Sequence, residues 1–208
     1  VVQTARRLAE DLGLPVYDLR THEGLLRFLV VRETKASDQL MVNIVVTSYP
    51  DGSVDELVRG LVEAVPEIDV MIITLHQGKA QVAKGQSEFV WRGIGHIEEL
   101  CSGLKFEISP QSFFQTNSLQ AEKLYAIVGE LAGEFSTGQI LDLYCGTGAI
   151  SLHLARSAAA VLGIEVVEEA IVDARRNAEC NDIHNCEFIA GAAEDLLAGL
   201  QEEGRFFD

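Results

Sequence analysis

Apolar positions along the first hundred residues alternate between a helical and a strand rhythm. Residues 3–12 (QTARRLAEDL) place Ala5, Leu8 and Leu12 on one stripe, which predicts a short helix ended by Gly13 and Pro15. Residues 25–32 (LLRFLVVR) and 40–47 (LMVNIVVT) are rich in β-branched residues and predict strands, with a turn at 35–39 between them. Ser53 reads as an N-cap, with Glu56 at capping-box spacing, for a helix over 54–64 closed by Pro66. Residues 68–75 (IDVMIITL) predict a third strand. The polar stretch 77–88, with Gly78 and Gly85, predicts a loop. Residues 89–91 and 105–108 predict strands around a loop containing Gly93, Gly95 and Gly103. Residues 1–104 are therefore expected to form an α+β domain with an antiparallel sheet.

From residue 105 the rhythm changes. Asn117 and Gln120 suit a capped helix over 118–132, with Leu124, Ile127, Val128 and Leu131 as its apolar stripe. Residues 133–138 read as a linker. A strand at 139–143, a glycine turn and a helix at 149–158 follow. Then come a strand at 161–165, a helix at 166–180, a strand at 187–190, a helix at 194–201 and the start of a strand at 206–208. Strands alternating with helices through short turns predict a parallel, doubly wound α/β sheet for 105–208. In the helix over 166–180, Val167, Ala170, Ile171, Ala174 and Ala178 line one face, and Glu168, Glu169, Asp173, Arg176 and Glu179 lie away from it.

Charge narrows the partners. The chain has 208 residues, 16 basic and 32 acidic, for a net charge of −16. Residues 105–208 alone contribute −11. A domain that holds a polyanion through its overall field should be basic, so net charge argues against nucleic-acid binding by this chain alone. It leaves room for a local basic stripe or a basic domain elsewhere. No apolar run approaches the roughly 20 residues of a membrane span, and no signal peptide is evident. The four cysteines form no C-x-x-C pair and no zinc spacing, as expected of reduced thiols in a cytoplasmic protein. The five histidines likewise show no metal spacing.

The chemistry signal is residues 141–148, LDLYCGTG, followed by Glu165 at the end of the next strand. Glycines let the backbone pass close beneath a ligand, and the following helix offers free N–H groups at its positive end. A carboxylate at the end of the second strand can accept hydrogen bonds from both ribose hydroxyls. Two ligand classes fit. A dinucleotide site asks for G-x-G-x-x-G, but Ser151 occupies the third glycine position. Asp142, just before the glycines, suits a ligand with a cationic amino group. S-adenosylmethionine has an ammonium and a ribose but no phosphate, so it is favoured over NAD.

A second segment, residues 106–117 (FEISPQSFFQTN), precedes this turn. Alone it is a strand, a turn and an aromatic pair. Together with LDLYCGTG it closely resembles the RNA uracil-5-methyltransferase family, which makes 5-methyluridine in bacterial large-subunit rRNA and in tRNA. Residues 24–32 resemble that family's central-domain strand, and residues 167–181 resemble its second Rossmann helix. The resemblance implies an incomplete Rossmann-like class I methyltransferase domain over 105–208, preceded by the α+β central domain. It implies that Gln115, Tyr144, Gly146, Gly148 and Glu165 contact S-adenosylmethionine, with Glu165 on the ribose. The segment after the third strand often carries Asp or Asn for the adenine edge. Here Ala192 stands in that place, so a backbone N–H or Glu194 would have to substitute.

In that family a cysteine thiolate adds to uracil carbon-6, carbon-5 takes the methyl group, and a base removes the carbon-5 proton. The resemblance puts that cysteine and a glutamate base downstream of a D-P-P-R motif, beyond Asp208. It puts an RNA-binding barrel and iron–sulfur cysteines upstream of Val1. Both ends read as cuts through a longer protein. No catalytic residue and no metal ligand is therefore expected within the chain, which should be a monomeric, inactive piece with rRNA as the expected partner and no membrane. Cys145 reads as a packed thiol rather than the nucleophile. Arg27 and Arg32 could touch phosphate, or equally line a solvated strand face. The rival readings are another methyl acceptor (tRNA, a protein or a small molecule), an NAD-linked oxidoreductase, and a non-catalytic binding module.

Overall fold

A computed structural model describes residues 1–133 and 138–207. The chain divides into two compact units, Val1–Ile97 and Glu98–Asp208. The linker expected over 133–138 falls mostly outside the described residues, as does Asp208.

In the first unit, helix α1 (Val2–Asp11) precedes β1 (Leu26–Glu33), β2 (Leu40–Val46), α2 (Gly52–Ala64), β3 (Ile68–Leu75) and β4 (Ser87–Arg92). The strands form one sheet in the order β1-β2-β3-β4. The sheet is mixed, which corrects the expected antiparallel arrangement. β1 and β4 pair antiparallel with their neighbours, but β2 and β3 run parallel, with Asn43 opposite Ile72. The reason is the intervening helix: α2 carries the chain back to the starting end of β2, and only a crossover joins adjacent parallel strands.

Helix α2 starts two residues earlier than the capping-box pattern indicates. Its N-cap is Asp51, whose carboxylate accepts from the Ser53 backbone N–H at 2.9 Å. Val54, Leu57, Val58 and Leu61 form its buried stripe against Val42, Ile44, Val46, Met71 and Ile73. Each such side chain contributes about 1.5–3 kcal/mol on full burial. The Arg27 side chain is engaged within this unit. Its guanidinium stacks 4.1 Å from the Tyr17 ring centroid and donates to the backbone carbonyls of His76, Gly78 and Ala80, so it ties down the start of the 77–86 loop.

The second unit opens, at Glu98, within β5 (Ile97–Cys101), which pairs with β6 (Leu104–Ile108) as a two-stranded sheet. β5 lies inside the stretch expected to be a glycine loop, between Gly95 and Gly103. β6 is bonded to a helix of the second unit, described below. Helix α3 (Ser118–Ala132) is capped by Asn117, which accepts from the Gln120 N–H at 3.1 Å. Its buried residues are Ser118, Ala121 and Tyr125. Leu124, Ile127 and Leu131 of the expected core stripe are exposed, and only Val128 packs into a core cluster. Periodicity finds a helix's apolar face but does not show what covers it.

Then follow β7 (Gln139–Leu143), α4 (Ala149–Ala155), β8 (Ala160–Glu165), α5 (Glu168–Cys180), β9 (Cys186–Ala190) and α6 (Ala193–Glu202). The three strands form a parallel sheet in the order β7-β8-β9. Leu154, Ala155 and Val161 anchor one core cluster, and Leu162, Ile164, Ala193 and Leu200 another, so side chains pack on both faces of β8. α4 ends at Ala155, three residues short of expectation, and residues 206–207 form no strand.

Candidate functional site

Parallel pairing brings three strand ends together. Asp142 lies opposite Gly163, Leu143 opposite Ile164, and Glu165 opposite Ala190. The turn after β7, the acid that ends β8 and the segment after β9 therefore share the carboxyl edge of the sheet, where open α/β sheets bind ligands.

The turn is shaped by three left-handed residues, Tyr144 (φ 62°), Gly146 (φ 56°) and Gly148 (φ 80°). A side chain on Gly146 would meet nothing within 4 Å, so that glycine serves backbone conformation and leaves open space above the turn. Gly148 is confined as well as left-handed. A Cβ there would lie 3.0 Å from the Phe188 ring and 3.2 Å from Ala174. Beneath the turn, a Cβ on Gly163 would come within 2.6 Å of Phe188 and 2.8 Å of the Cys145 sulfur. Gly163 escapes a reading based on motif spacing; its signal is a glycine inside an apolar strand, which marks close approach.

Glu165 is half-buried and fastens the turn. One carboxylate oxygen accepts from the Gly146 N–H at 3.1 Å and the other from the Val167 N–H at 3.0 Å. A carboxylate offers about four acceptor positions, so about two remain for hydroxyl donors. Asp142 accepts from the hydroxyl of fully buried Ser151 at 2.6 Å. Burial pushes the Asp142 carboxyl above the usual range, opposed by the bonds from Ser151. The exposed Tyr144 donates its hydroxyl to Glu194 at 3.0 Å, and this bond holds the phenol above its ordinary value. The Glu194 carboxyl is held low by its own N–H and by Tyr144. Ala192 is the N-cap of α6 and offers no side-chain bond.

The structure thus brings together five expected site residues (Asp142, Tyr144, Gly146, Gly148 and Glu165) with Glu194, the candidate substitute for the acid missing at Ala192. Gln115 is exposed on the loop between β6 and α3 and shares no hydrogen bond with this group among the described residues. Cys145 is buried, and its thiol is pushed up to about 12 by burial and by the Asp142 and Glu165 charges. Burial likewise holds Cys101 at about 11 and Cys186 at about 12, whereas Cys180 is exposed. With Cys145 buried and its thiolate disfavoured, alkylation by iodoacetamide should label the exposed Cys180 first. Peptide mapping after partial labelling checks this, and rapid labelling of Cys145 in the folded chain would contradict its packed state.

Three carboxylates, those of Asp142, Glu165 and Glu194, ring this strand edge. Such a field repels a pyrophosphate and favours a cationic ligand with hydroxyl donors. Residues 134–208 match a methyltransferase domain. The second unit has the Rossmann-like α/β fold of such domains, and the described sheet carries its parallel strands with the glycine turn after the first of them. The chain is 42% identical over 199 residues to an uncharacterized RNA methyltransferase of Caldanaerobacter subterraneus subsp. tengcongensis, across 94% of this chain and 44% of the relative. An uncharacterized RNA methyltransferase of Chlorobaculum tepidum is 41% identical across 97% of this chain and 42% of its own length. Among solved structures, the Pyrococcus abyssi tRNA (uracil-54, C5)-methyltransferase in complex with S-adenosyl-L-homocysteine superposes with a TM-score of 0.74 at 32% identity, covering 92% of this chain and 45% of that one. The chain therefore spans less than half the length of these relatives. No helix among the described residues is long and apolar enough to cross a membrane.

Proposed function

We propose that this chain is the cofactor-binding portion of an S-adenosylmethionine-dependent RNA uracil-5-methyltransferase. The observation that carries the reading is the carboxylate-ringed glycine turn, where Glu165 keeps acceptor capacity for a ribose diol. The Pyrococcus abyssi structure, solved with S-adenosyl-L-homocysteine, supports the same ligand class. Glu165 would accept from the two ribose hydroxyls. Asp142, held by Ser151, would attract the amino acid ammonium, and Gly146 would leave room for it. Tyr144 and Gln115 would flank the cofactor, and Glu194 would stand in at the adenine edge for the acid that Ala192 lacks. When bound, S-adenosylmethionine supplies an electrophilic methyl group.

The methyl acceptor proposed is a uridine of large-subunit rRNA, flipped out of its stack for reaction. A tRNA uridine is the second reading, favoured by the Pyrococcus abyssi neighbour. The nucleophilic cysteine and the base would come from outside residues 1–208, consistent with the suppressed thiolate of Cys145. Titration calorimetry on the 208-residue chain should show micromolar binding of S-adenosylhomocysteine and none of NAD; the reverse preference would overturn the reading. Mixed with methyl-labelled cofactor and separate rRNA and tRNA pools, this chain should transfer no label, and turnover would refute the proposed catalytic layout.

A further inference from the structure

Helix α5 carries a polar row along its otherwise apolar inner side. Asp173, Asn177 and the following Asn181 are spaced four residues apart and so lie on one face. Asp173 was expected to face away from the core with the other charged residues. Instead it is buried, accepting from the hydroxyls of Ser109, at 2.8 Å, and Ser112. Asn177 is fully buried and accepts from the Glu107 backbone N–H at 2.8 Å. Asn181 accepts from the Lys105 N–H at 2.8 Å and donates to the Lys105 carbonyl at 2.6 Å.

The pairs 181–105, 177–107 and 173–109 step four residues down the helix for every two along β6 and the residue after it. Four helical residues rise about 6 Å and two strand residues about 6.6 Å, so the two repeats nearly match. Helix side chains therefore take bonds that a neighbouring strand would otherwise supply. Asn177 does one thing more. Its amide nitrogen donates to the carbonyl of Thr147, inside the glycine turn, at 3.1 Å. A single side chain thus bridges the turn and the strand that leads into residues 109–117, where Gln115 sits.

We propose that Asn177 is a positioning residue that sets the glycine turn against the 105–117 segment, so that both present their ligand-facing groups in register. This role rests on the cofactor reading above. Only a short side chain with both a donor and an acceptor can hold Thr147 and Glu107 together. Aspartate at this position keeps the acceptor and loses the amide donor; serine offers one hydroxyl on a shorter side chain.

The test uses the 208-residue chain and S-adenosylhomocysteine. Asn177→Asp and Asn177→Ser should each weaken binding about 10-fold or more, as expected for a lost buried hydrogen bond with displacement of the turn. Asn181→Ala loses bonds to β6 but none to the turn, so it should lower the melting temperature while holding affinity within about two-fold, which separates positioning from general stability. Should the Asn177 variants fail to fold, hydrogen exchange on the wild-type chain decides. Protection of the Glu107 amide, which Asn177 holds, should rise when S-adenosylhomocysteine binds. Folded Asn177 variants with wild-type affinity, or a Glu107 amide indifferent to ligand, would overturn the role while leaving the cofactor reading intact. A wild-type chain that binds no S-adenosylhomocysteine removes the cofactor reading and the positioning role together.

Discussion

Glu165→Ala is expected to weaken S-adenosylhomocysteine binding about 100-fold, the equivalent of about 3 kcal/mol for lost charge-assisted hydrogen bonds to a ribose diol. The loss has two sources. The acceptors proposed for the ribose disappear, and the turn loses the carboxylate that now accepts from Gly146 and Val167. Glu165→Gln separates them, because its single carbonyl oxygen still accepts one backbone bond while the charge is gone. Titration calorimetry, read beside thermal melts, measures both variants. Wild-type affinity in a folded Glu165→Ala chain would remove the ribose role.

Gly148→Ala should be the most damaging single-methyl change in the turn. A left-handed conformation costs a residue with a Cβ about 1–2 kcal/mol. The new methyl would also press on Phe188, 4% exposed, and Ala174, fully buried, from 3.0 and 3.2 Å. Overpacking of that kind adds about 1–3 kcal/mol. The combined loss of about 2–5 kcal/mol should lower the melting temperature by at least about 4 °C for a chain of this size. Gly146→Ala meets no atom within 4 Å and should cost only the conformational part, about 1–2 kcal/mol. Differential scanning calorimetry of both variants makes the comparison, and equal destabilisation would contradict the packing account of Gly148.

The local features of the second unit were largely legible in its residues. LDLYCGTG and Glu165 predicted a turn with an acidic neighbour, and parallel strands place them on one sheet edge. Alternating strand and helix patterns predicted the α/β order. Asn117 predicted its own cap on α3. These features depend on neighbours close in sequence, or on a strand rhythm that a single segment reveals.

Other features depend on partners far along the chain. Asp173 resembles any solvated acid on a helix, and only the fold brings Ser109 and Ser112 to it. Asn177 follows two arginines on a helix that reads as amphipathic, and its meaning appears once Thr147 and Glu107 reach it. The stripe of α3 was correctly apolar yet turned outward, because burial is decided by what packs over a face. The antiparallel expectation for the first unit failed because strand direction follows from the connection, and α2 is a crossover.

By itself, then, the sequence determined the alternation of elements, the conformational need for glycine in the turn and the chemistry of Asp142 and Glu165. Periodicity, backbone freedom and side-chain charge are local properties and survive without the fold. The tertiary structure alone decided which strands run parallel, why Gly148 must also be small, and that the α5 asparagine row bonds β6 and the turn. Those outcomes depend on distances between groups tens of residues apart, which only the packed chain sets.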